Sequence, residues 1–505
     1  MKLLSRALLF TLVAFSICSS AANAQNKEQN LDQFFTAEAN TQGFTGNVLV
    51  ADHGKIIYEK SFGYADQQSG RLNTPTTQFP VASVTKTLVA TAILQLQEKG
   101  RLEVADRVTK YLPDFPYPDI TLVNLLSHTS GLPDFGAFFD SLRSHHPDTI
   151  LVNKDLINGM KMNKVPLLFQ PGERYSYCNT NFAVLGIIVE RITGIGLHEY
   201  LDRYILKPAG MHHTFFPGFN IAHYTIEESK NLSIPLYYPH LYSNQAIDPV
   251  TLPVYTSYWH SYNFKGYSET ITTLGDLLKF DEALYDGRLL SAATLKEAFT
   301  PVKLNDGRIN PGIWGLGWQI YKTDTIVGHS GGMLGASTGF ARNIIKHYTA
   351  IVFYTGQNTA PSLALNALAI LDGSNVDIPK KSAAYAFGRL LLTKGQDAAQ
   401  IFLTEAKKDT ANFEISDFEF NALGYDLLDD NKGGVMPPDP HYTDALLVFK
   451  LNMELFPDDW NVYDSYGEAL AKTGHKEEAI KMYKRSLELN PSNDDGKAAL
   501  DRLMK

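Results

Sequence analysis

Two residues three positions apart, Ser83 and Lys86, carry the groups needed to attack a carbonyl carbon. Residues i and i+3 share one face of a helix, so the amine of Lys86 can reach the hydroxyl of Ser83. A serine hydroxyl is a weak nucleophile at neutral pH unless a neighbouring base draws off its proton. Because such a pair also arises by chance in a long chain, its surroundings must decide whether it forms a site.

A proton relay to the leaving group is a second requirement, and Tyr177-Cys178-Asn179 can supply one just before an apolar run. A tyrosine beside a cation would be favoured as the phenolate and could pass protons during the reaction. Tyr242-Ser243-Asn244 has the same pattern, but it lies in a proline-flanked loop with no helix to anchor it. We therefore favour Tyr177 for the relay.

A third candidate element is His329-Ser330-Gly331-Gly332, which ends a predicted strand. It offers an imidazole, a hydroxyl and, because glycine lacks a Cβ, a close approach of backbone N–H groups. The run Gly328 to Gly332 also fits G-x-S-x-G, the nucleophile elbow of α/β-hydrolases. That elbow requires a helix directly after Ser330, whereas Met333 to Gly339 is glycine-rich and a poor helix former.

One further motif, Lys472-Thr473-Gly474, matches a known catalytic triplet letter for letter. It falls between two predicted helices, where no strand exists to present it. We expect it to be the C-terminus of a helix.

The elements that must position these groups form an α+β pattern. The residues after Ser83 are apolar almost all round, which predicts a buried helix stopped by Gly100. Two β-rich runs near the N-terminus predict a hairpin, and further strands follow the helices in sequence. We predict strands at Asn47–Ala51, Lys55–Phe62, Gly317–Tyr321, Thr325–Gly328 and Thr349–Tyr354, and helices at Ile120–Leu126, Asn181–Thr193 and Asp276–Leu284.

The N-terminus and the composition indicate an exported protein. Lys2 and Arg6 precede an apolar run that ends near Ala22-Asn23-Ala24, so we predict a signal peptide over residues 1–24 and a periplasmic or extracellular location. Its removal changes the formal charge from −9 to −11 and leaves Cys178 as the one cysteine, so no internal disulfide is predicted. The acidic balance argues against a nucleic-acid partner.

No cofactor or metal is predicted from the sequence. The histidine pairs His145-His146 and His212-His213 lack cysteine or carboxylate neighbours at the spacing that metal ligands require. We expect both pairs to lie in solvated loops.

Beyond residue 375 the pattern becomes helical. Ala445, Phe449 and Pro457 recur 34 residues later as Ala479, Tyr483 and Pro491, which is the period of a tetratricopeptide repeat. We therefore predict a helical domain over residues 376–505, with an unrelated helical bundle as the alternative. Such repeats could bind a protein partner.

With these elements in order, the chain resembles the serine β-lactamase and penicillin-binding-protein superfamily. The resemblance is to the branch of class C β-lactamases, D-alanyl-D-alanine carboxypeptidases and family VIII esterases. Further residues support it: Phe79-Pro80-Val81-Ala82 before the serine, Leu125 to Leu132, and Pro171-Gly172 before Tyr177. The similarity covers roughly residues 30 to 360 and implies a domain over residues 25–375. That domain would pair an antiparallel sheet flanked by helices with a helical lobe.

The resemblance also implies a role for each candidate residue. Ser83 would be the nucleophile, and Lys86 with Tyr177 the base and the proton relay. The resemblance assigns substrate binding to Asn179, His329, Ser330 and Gly332, and an oxyanion hole to the N–H groups of Ser83 and Gly332. His329 departs from the family pattern, because class C β-lactamases have lysine there, and histidine is only partly charged at neutral pH.

The sequence therefore predicts an exported serine hydrolase that forms an acyl-enzyme at Ser83 and hydrolyses an ester or amide. Esters or short D-peptides are expected rather than β-lactams, because His329 is a weaker partner for a carboxylate. The alternative is a non-catalytic peptidoglycan-binding or peptide-binding protein whose repeats recruit a partner. Retention of every reactive group favours the enzyme.

Overall fold

The computed structural model describes residues 26–146, 149–217, 230–243, 245–252, 262–321, 325–356, 359–428 and 440–505. The predicted signal peptide and part of the second tyrosine motif, Asn244, lie outside these residues.

A six-stranded antiparallel sheet forms the centre of the first unit. Its order is β2 (Lys55–Phe62), β1 (Gly46–Asp52), β6 (Tyr348–Thr355), β5 (Ala336–Asn343), β4 (Ile326–Met333) and β3 (Gln319–Ile320). Strand β1 of the N-terminal hairpin pairs with β6 from the far end of the domain, with Gly46 opposite Tyr354. This arrangement confirms the predicted α+β fold built from both ends of the domain.

The glycine-rich segment differs from its prediction. The strand expected to stop at Gly328 runs on to Met333, and β5 follows after a two-residue turn. Glycine is a poor strand former, but here it allows close packing. A Cβ on Gly331 would lie 2.1 Å from the carbonyl oxygen of Val81, and one on Gly339 would lie 2.3 Å from that of Ala360.

The helix that follows Ser83 is buried, as predicted. A short 3-10 turn, Ala82–Val84, leads into the helix Thr85–Glu98, in which every residue from Thr85 to Leu96 is buried. Gly100 ends it with a left-handed backbone, φ 63°. Because this helix is enclosed on all sides, its first turn holds a fixed position.

Helices cover both faces of the sheet. Helix Ala360–Leu371 packs on β5 and β6 at one face, while the helix Leu274–Tyr285 lies on the other side against β1 and β6. The helix predicted from Asn181 begins at Asn179 and ends at Gly194. Among the described residues, the other α-helices of this unit with at least five residues are 26–37, Leu122–Leu126, Gly136–His145, Asn153–Asn163, Leu197–Leu201 and Ala292–Ala298.

The chain divides into two compact units. The first comprises residues up to Ala39 together with Phe44–Tyr237 and Asp248–Asp377. The second contains Ile378–Lys505 and two short segments, Asn40–Gly43 and Tyr238–Ile247.

The second unit is helical. Helices Tyr442–Leu455 and Lys476–Leu489 begin 34 residues apart, and their repeated residues Ala445 and Ala479 are both fully buried. Assignment to the tetratricopeptide class stays a prediction. The helices are Ala383–Lys394, Gln396–Ala406, Asp417–Leu428, Tyr442–Leu455, Trp460–Lys472, Lys476–Leu489 and Asp494–Met504.

Within the described ranges, no single helix is long and apolar enough to cross a membrane, although one pair bent by 76°, Asn179–Thr193 with Leu197–Ala209, reaches that length and composition together. The same residues contain no group of three or more His, Cys, Asp or Glu side chains that could hold a metal ion.

Candidate active site

Lys86 is fully buried and makes three polar contacts. Its Nζ atom lies 2.9 Å from Oγ of Ser83, 2.9 Å from Oδ1 of Asn179 and 2.8 Å from the carbonyl oxygen of Tyr267. The structure therefore brings Ser83, Lys86 and Asn179 together, as their predicted roles require.

Burial makes Lys86 available as a base. Desolvation lowers the pKa of its amine to about 7, against the opposing charges of Asp134 and Glu269. At neutral pH a large share of the lysine is therefore uncharged. An uncharged amine has a lone pair, which can accept the proton of the Ser83 hydroxyl.

Ser83 lies in the strained turn at the start of the buried helix. The preceding residue, Ala82, has a positive φ of 44°, which is uncommon for a residue with a side chain. Strand β4 passes directly beside this turn. It can do so because Gly331 has no Cβ, and a Cβ there would collide with the carbonyl oxygen of Val81. The turn and the strand thus place the backbone of Ser83 next to the segment that contains Gly332.

Tyr177 lies over the amine of Lys86. Its ring centroid is 5.1 Å from the Nζ atom, and the ring also packs at 4.2 Å from that of His128. Burial raises the pKa of the phenol above its usual range of about 10, while a hydrogen bond with Ser83 acts in the opposite direction. The expectation of a phenolate is wrong for the resting site, which favours the neutral hydroxyl.

Asn179 connects the lysine to a carboxylate. Its Nδ2 group donates to Oδ2 of Asp134 at 3.0 Å, so its Oδ1 atom faces Lys86. Cys178, between Tyr177 and Asn179, points away and donates to the carbonyl oxygen of Pro133 at 3.4 Å. Burial raises the pKa of its thiol to about 12, so it stays protonated.

His329 is buried in β4 and is uncharged. Its Nδ1 atom lies 2.6 Å from the carbonyl oxygen of Ser330, and its ring packs against Trp314 with centroids 5.1 Å apart. Burial, together with the charge of Lys86, lowers its pKa to about 3. The residue expected to be partly charged is therefore neutral at physiological pH.

Sequence reasoning gave no role to His128, although it lies within the segment Leu125 to Leu132. Its ring contacts Tyr177 and Trp314, and its Nδ1 atom accepts the backbone N–H of Cys178 at 3.1 Å. The positive φ of 57° and the apolar surroundings could not be read from the sequence. These three rings pack together, and the ring of Tyr177 also contacts the amine of Lys86.

The other three motifs considered from the sequence lack the surroundings that a catalytic site would need. Ser330 is followed by another strand, not by the helix that a nucleophile elbow requires. Tyr242 belongs to the second unit, where its carbonyl oxygen accepts a hydrogen bond from Arg389. Lys472 ends a helix, and the hydroxyl of Thr473 bonds back to Ala469, which confirms the predicted helix terminus.

The fold and this site define a class of protein. A serine at the start of a buried helix, bonded to a lysine one turn on and flanked by a sheet strand, is an arrangement for acyl transfer. Comparisons with known proteins agree, since the Beta-lactamase family matches residues 31–375. The chain belongs to this family, whose superfamily also includes the penicillin-binding proteins.

Individual relatives give the same result. The chain is 33% identical over 367 residues to Penicillin-binding protein 4* of Bacillus subtilis, covering 71% of this chain and 79% of the relative. Among solved structures, D-amino acid amidase from Ochrobactrum anthropi SV3 has a TM-score of 0.56 at 20% identity, covering 70% of this chain and 99% of the amidase. EstCE1, described as a hydrolase with promiscuous acyltransferase activity, has a TM-score of 0.53 at 20% identity, covering 70% and 99%. The two structures support the fold alone.

Proposed function

We propose that this protein is an exported serine hydrolase that forms an acyl-enzyme at Ser83 and releases the acyl group to water. The single observation that carries the proposal is the contact of a fully buried lysine with the serine hydroxyl at 2.9 Å. A lysine whose pKa is about 7 can act as a base at neutral pH, which an exposed lysine cannot do efficiently.

The reaction would follow from the positions of these groups. Lys86 accepts the proton of Ser83 as the serine oxygen attacks the substrate carbonyl carbon. The N–H groups of Ser83 and Gly332 receive the oxyanion that develops. Tyr177 gives its hydroxyl proton to the leaving group and takes up the proton that Lys86 accepted from Ser83. Water then hydrolyses the ester formed on Ser83.

The charges at the site favour substrates without a carboxylate beside the scissile bond. His329 is neutral, and the amine of Lys86 is occupied by Ser83, Asn179 and Tyr267. Carboxylate recognition, which β-lactams would need, therefore has no permanent cation at His329. We propose esters, amides or short D-peptides as substrates. The same fold carries amidase and acyltransferase chemistry in the two solved structures named above.

Location and partners complete the proposal. Residues 1–24 would direct export to the periplasm or the extracellular space. The second unit, with its 34-residue displacement between helices, would bind a protein partner.

One experiment tests the activity. The mature protein is incubated with a nitrophenyl ester, a chromogenic cephalosporin and a D-Ala-D-Ala peptide, and mass spectrometry locates any covalent adduct. We expect an adduct on Ser83 with the ester, which has no carboxylate beside the scissile bond, and none in Ser83→Ala. Ser330→Ala is the matched control and should still be acylated.

Two outcomes would contradict the proposal. An adduct on Ser330, or one that survives in Ser83→Ala, would move the nucleophile elsewhere. If none of the three substrates forms an adduct and peptidoglycan fragments bind tightly, the protein would be a receptor instead of an enzyme.

A further inference from the structure

The third contact of Lys86, the carbonyl oxygen of Tyr267, belongs to a turn that is organised by one carboxylate. Oε1 of Glu269 accepts the N–H of Gly266 at 2.6 Å, and Oε2 accepts the N–H groups of Tyr267 at 3.2 Å and Ser268 at 3.0 Å. A single side chain thus gathers three consecutive backbone donors. Gly266, with φ 106°, allows the chain to fold around it.

A histidine completes the surroundings of Glu269. Nε2 of His198 lies 3.1 Å from Oε1, and its ring stacks on Phe216 with centroids 4.5 Å apart. The carboxylate is only 14% exposed. Burial raises the pKa of Glu269. The hydrogen bonds from His198 and the backbone lower it by more, so the net pKa lies below its usual value. Glu269 is therefore ionised and fixed at neutral pH.

A second carboxylate fixes another partner of Lys86, the side chain of Asn179. Oδ2 of Asp134 accepts from Nδ2 of Asn179 at 3.0 Å, while Oδ1 accepts from the N–H of Thr180 at 3.2 Å. This bond fixes the orientation of the Asn179 amide, because only its nitrogen can donate to a carboxylate. The oxygen of that amide must then point at Lys86.

These contacts determine where the lone pair of the lysine points. The Asn179 and Tyr267 oxygens accept hydrogen bonds and cannot donate, so the two N–H groups of an uncharged amine satisfy them. The remaining contact, at 2.9 Å, is with Ser83, whose hydroxyl can donate. We infer that Asp134 and Glu269 are positioning residues that turn the lone pair of Lys86 toward Ser83 by fixing its two other partners.

This inference rests on the proposed function, because it assigns a purpose to the base. The two carboxylates also oppose the effect of burial on the pKa of Lys86. His128 and His329 are held neutral, and the Tyr177 phenol is protonated. Removing either carboxylate therefore lowers the pKa of Lys86 further.

The experiment uses the full mature protein and the amide variants Asp134→Asn and Glu269→Gln. In Asp134→Asn, an amide replaces the carboxylate whose two oxygens only accept hydrogen bonds. The new amide can also donate, so the Asn179 amide is free to flip and present its N–H groups to Lys86. The matched control is Asp119→Asn, at a carboxylate that is 69% exposed and paired with Arg107. Acylation by a nitrophenyl ester is measured from pH 5 to 9, and the pKa of Lys86 is measured by NMR titration of its ε-carbon.

We expect kcat on the plateau to fall about tenfold in each variant, the effect of losing one oriented hydrogen bond, with KM changed less than about twofold. The acid limb of the profile should move to lower pH, together with the NMR pKa of Lys86. A variant that is merely destabilised would lose active protein without moving the limb. Asp119→Asn should match the wild type in both measurements.

The outcomes separate this inference from the proposed function. If the wild type acylates and both variants keep its plateau and its limb, the positioning role is wrong. If the limb moves to higher pH, it is wrong as well. If the wild type never acylates, the proposed function fails, and the NMR pKa still decides whether the carboxylates act on Lys86. Should Glu269→Gln fail to fold, Asp134→Asn, at an exposed carboxylate, carries the test alone.

Discussion

The Nδ1 atom of His329 lies 2.6 Å from the carbonyl oxygen of Ser330. A carbonyl oxygen only accepts, so the proton of the neutral ring is on Nδ1 and the Nε2 atom is left as an acceptor. That Nε2 atom is buried and has no hydrogen-bond partner among the described residues. The position that is a lysine in class C β-lactamases thus presents an uncharged acceptor here.

This tautomer predicts how the pH profile responds to His329. Because its pKa is about 3, its charge does not change between pH 5 and 8. We expect His329→Gln to alter KM for the ester while the acid limb of kcat/KM stays at the wild-type pH. A limb that moves or disappears in this variant would show that His329 titrates during turnover.

Stability should fall in acid because two imidazoles are buried in the neutral form. Burial lowers the pKa values of His128 and His329 below 6.5, whereas the unfolded chain binds a proton on each below about that pH. The unfolded state therefore takes up more protons, and stability present above pH 6.5 is lost as the pH falls. Well below pH 6.5, each histidine should lower the free energy of unfolding by about 1.4 kcal/mol for every pH unit of acidification.

Urea unfolding at pH 7, 6 and 5 measures this effect. In His329→Asn the loss of stability per pH unit should be smaller than in the wild type by that single-histidine amount. The control His212→Asn, at an exposed histidine, should keep the wild-type slope. An unchanged slope in His329→Asn would mean that this ring is charged in the folded protein.

Much of this architecture could be predicted from the sequence, since it depends on local patterns. Alternating β-rich residues gave the β1 and β2 hairpin, and the apolar run after Ser83 gave its buried helix. The glycine-rich strand β4 was predicted only as far as Gly328, and β5 was not predicted at all. Their glycines serve close packing against Val81 and Ala360 rather than strand propensity.

Some residues of the site could likewise be identified from the sequence, whereas others could be found only in the structure. Ser83, Lys86, Tyr177 and Asn179 could be selected because their spacing and order match a known pattern. Asp134 and Glu269 could not, since each acts through a neighbour that only the folded chain places beside Lys86. The protonation of Tyr177 was also out of reach, because it depends on how far the ring is enclosed.

Lys86 should control the rate of acylation through its own ionisation. The uncharged amine is the proposed base, so the rate should rise with pH through the pKa of about 7. Lys86→Arg keeps a cation but cannot lose its proton, and it should slow acylation by about a hundredfold to ten-thousandfold. Rapid-mixing kinetics with a nitrophenyl ester measure both effects, and a fast Lys86→Arg variant would exclude the lysine as the base.

Tyr177 should matter for its hydroxyl more than for its ring. Tyr177→Phe keeps the contact with His128 but removes the group that bonds to Ser83. We expect kcat to fall by about a hundredfold or more, because proton transfer to the leaving group is lost. Esters whose leaving groups need no proton, such as a nitrophenolate, should be affected less than amides. Equal losses for both substrates would contradict a relay role.

The close approach of β4 to the nucleophile turn should be sensitive to a single methyl group. A Cβ at Gly331 would lie 2.1 Å from the carbonyl oxygen of Val81, which is a backbone atom and cannot move aside as a flexible side chain could. Gly331→Ala should therefore push β4 away from Ser83 and separate the two N–H groups proposed to bind the oxyanion. Since such a donor contributes about a hundredfold to a thousandfold in kcat, acylation should fall by at least that factor.

Gly275→Ala is the matched control for this change. Gly275 lies in the helix Leu274–Tyr285, and a Cβ there would meet no atom within 4 Å. Alanine in a helix is favoured over glycine by about 0.5–1 kcal/mol, so this variant should be equally active and slightly more stable. Thermal unfolding and ester kinetics on both variants check the prediction. Full activity in Gly331→Ala would mean that β4 can move without disturbing Ser83, and the oxyanion donor at Gly332 would then be wrong.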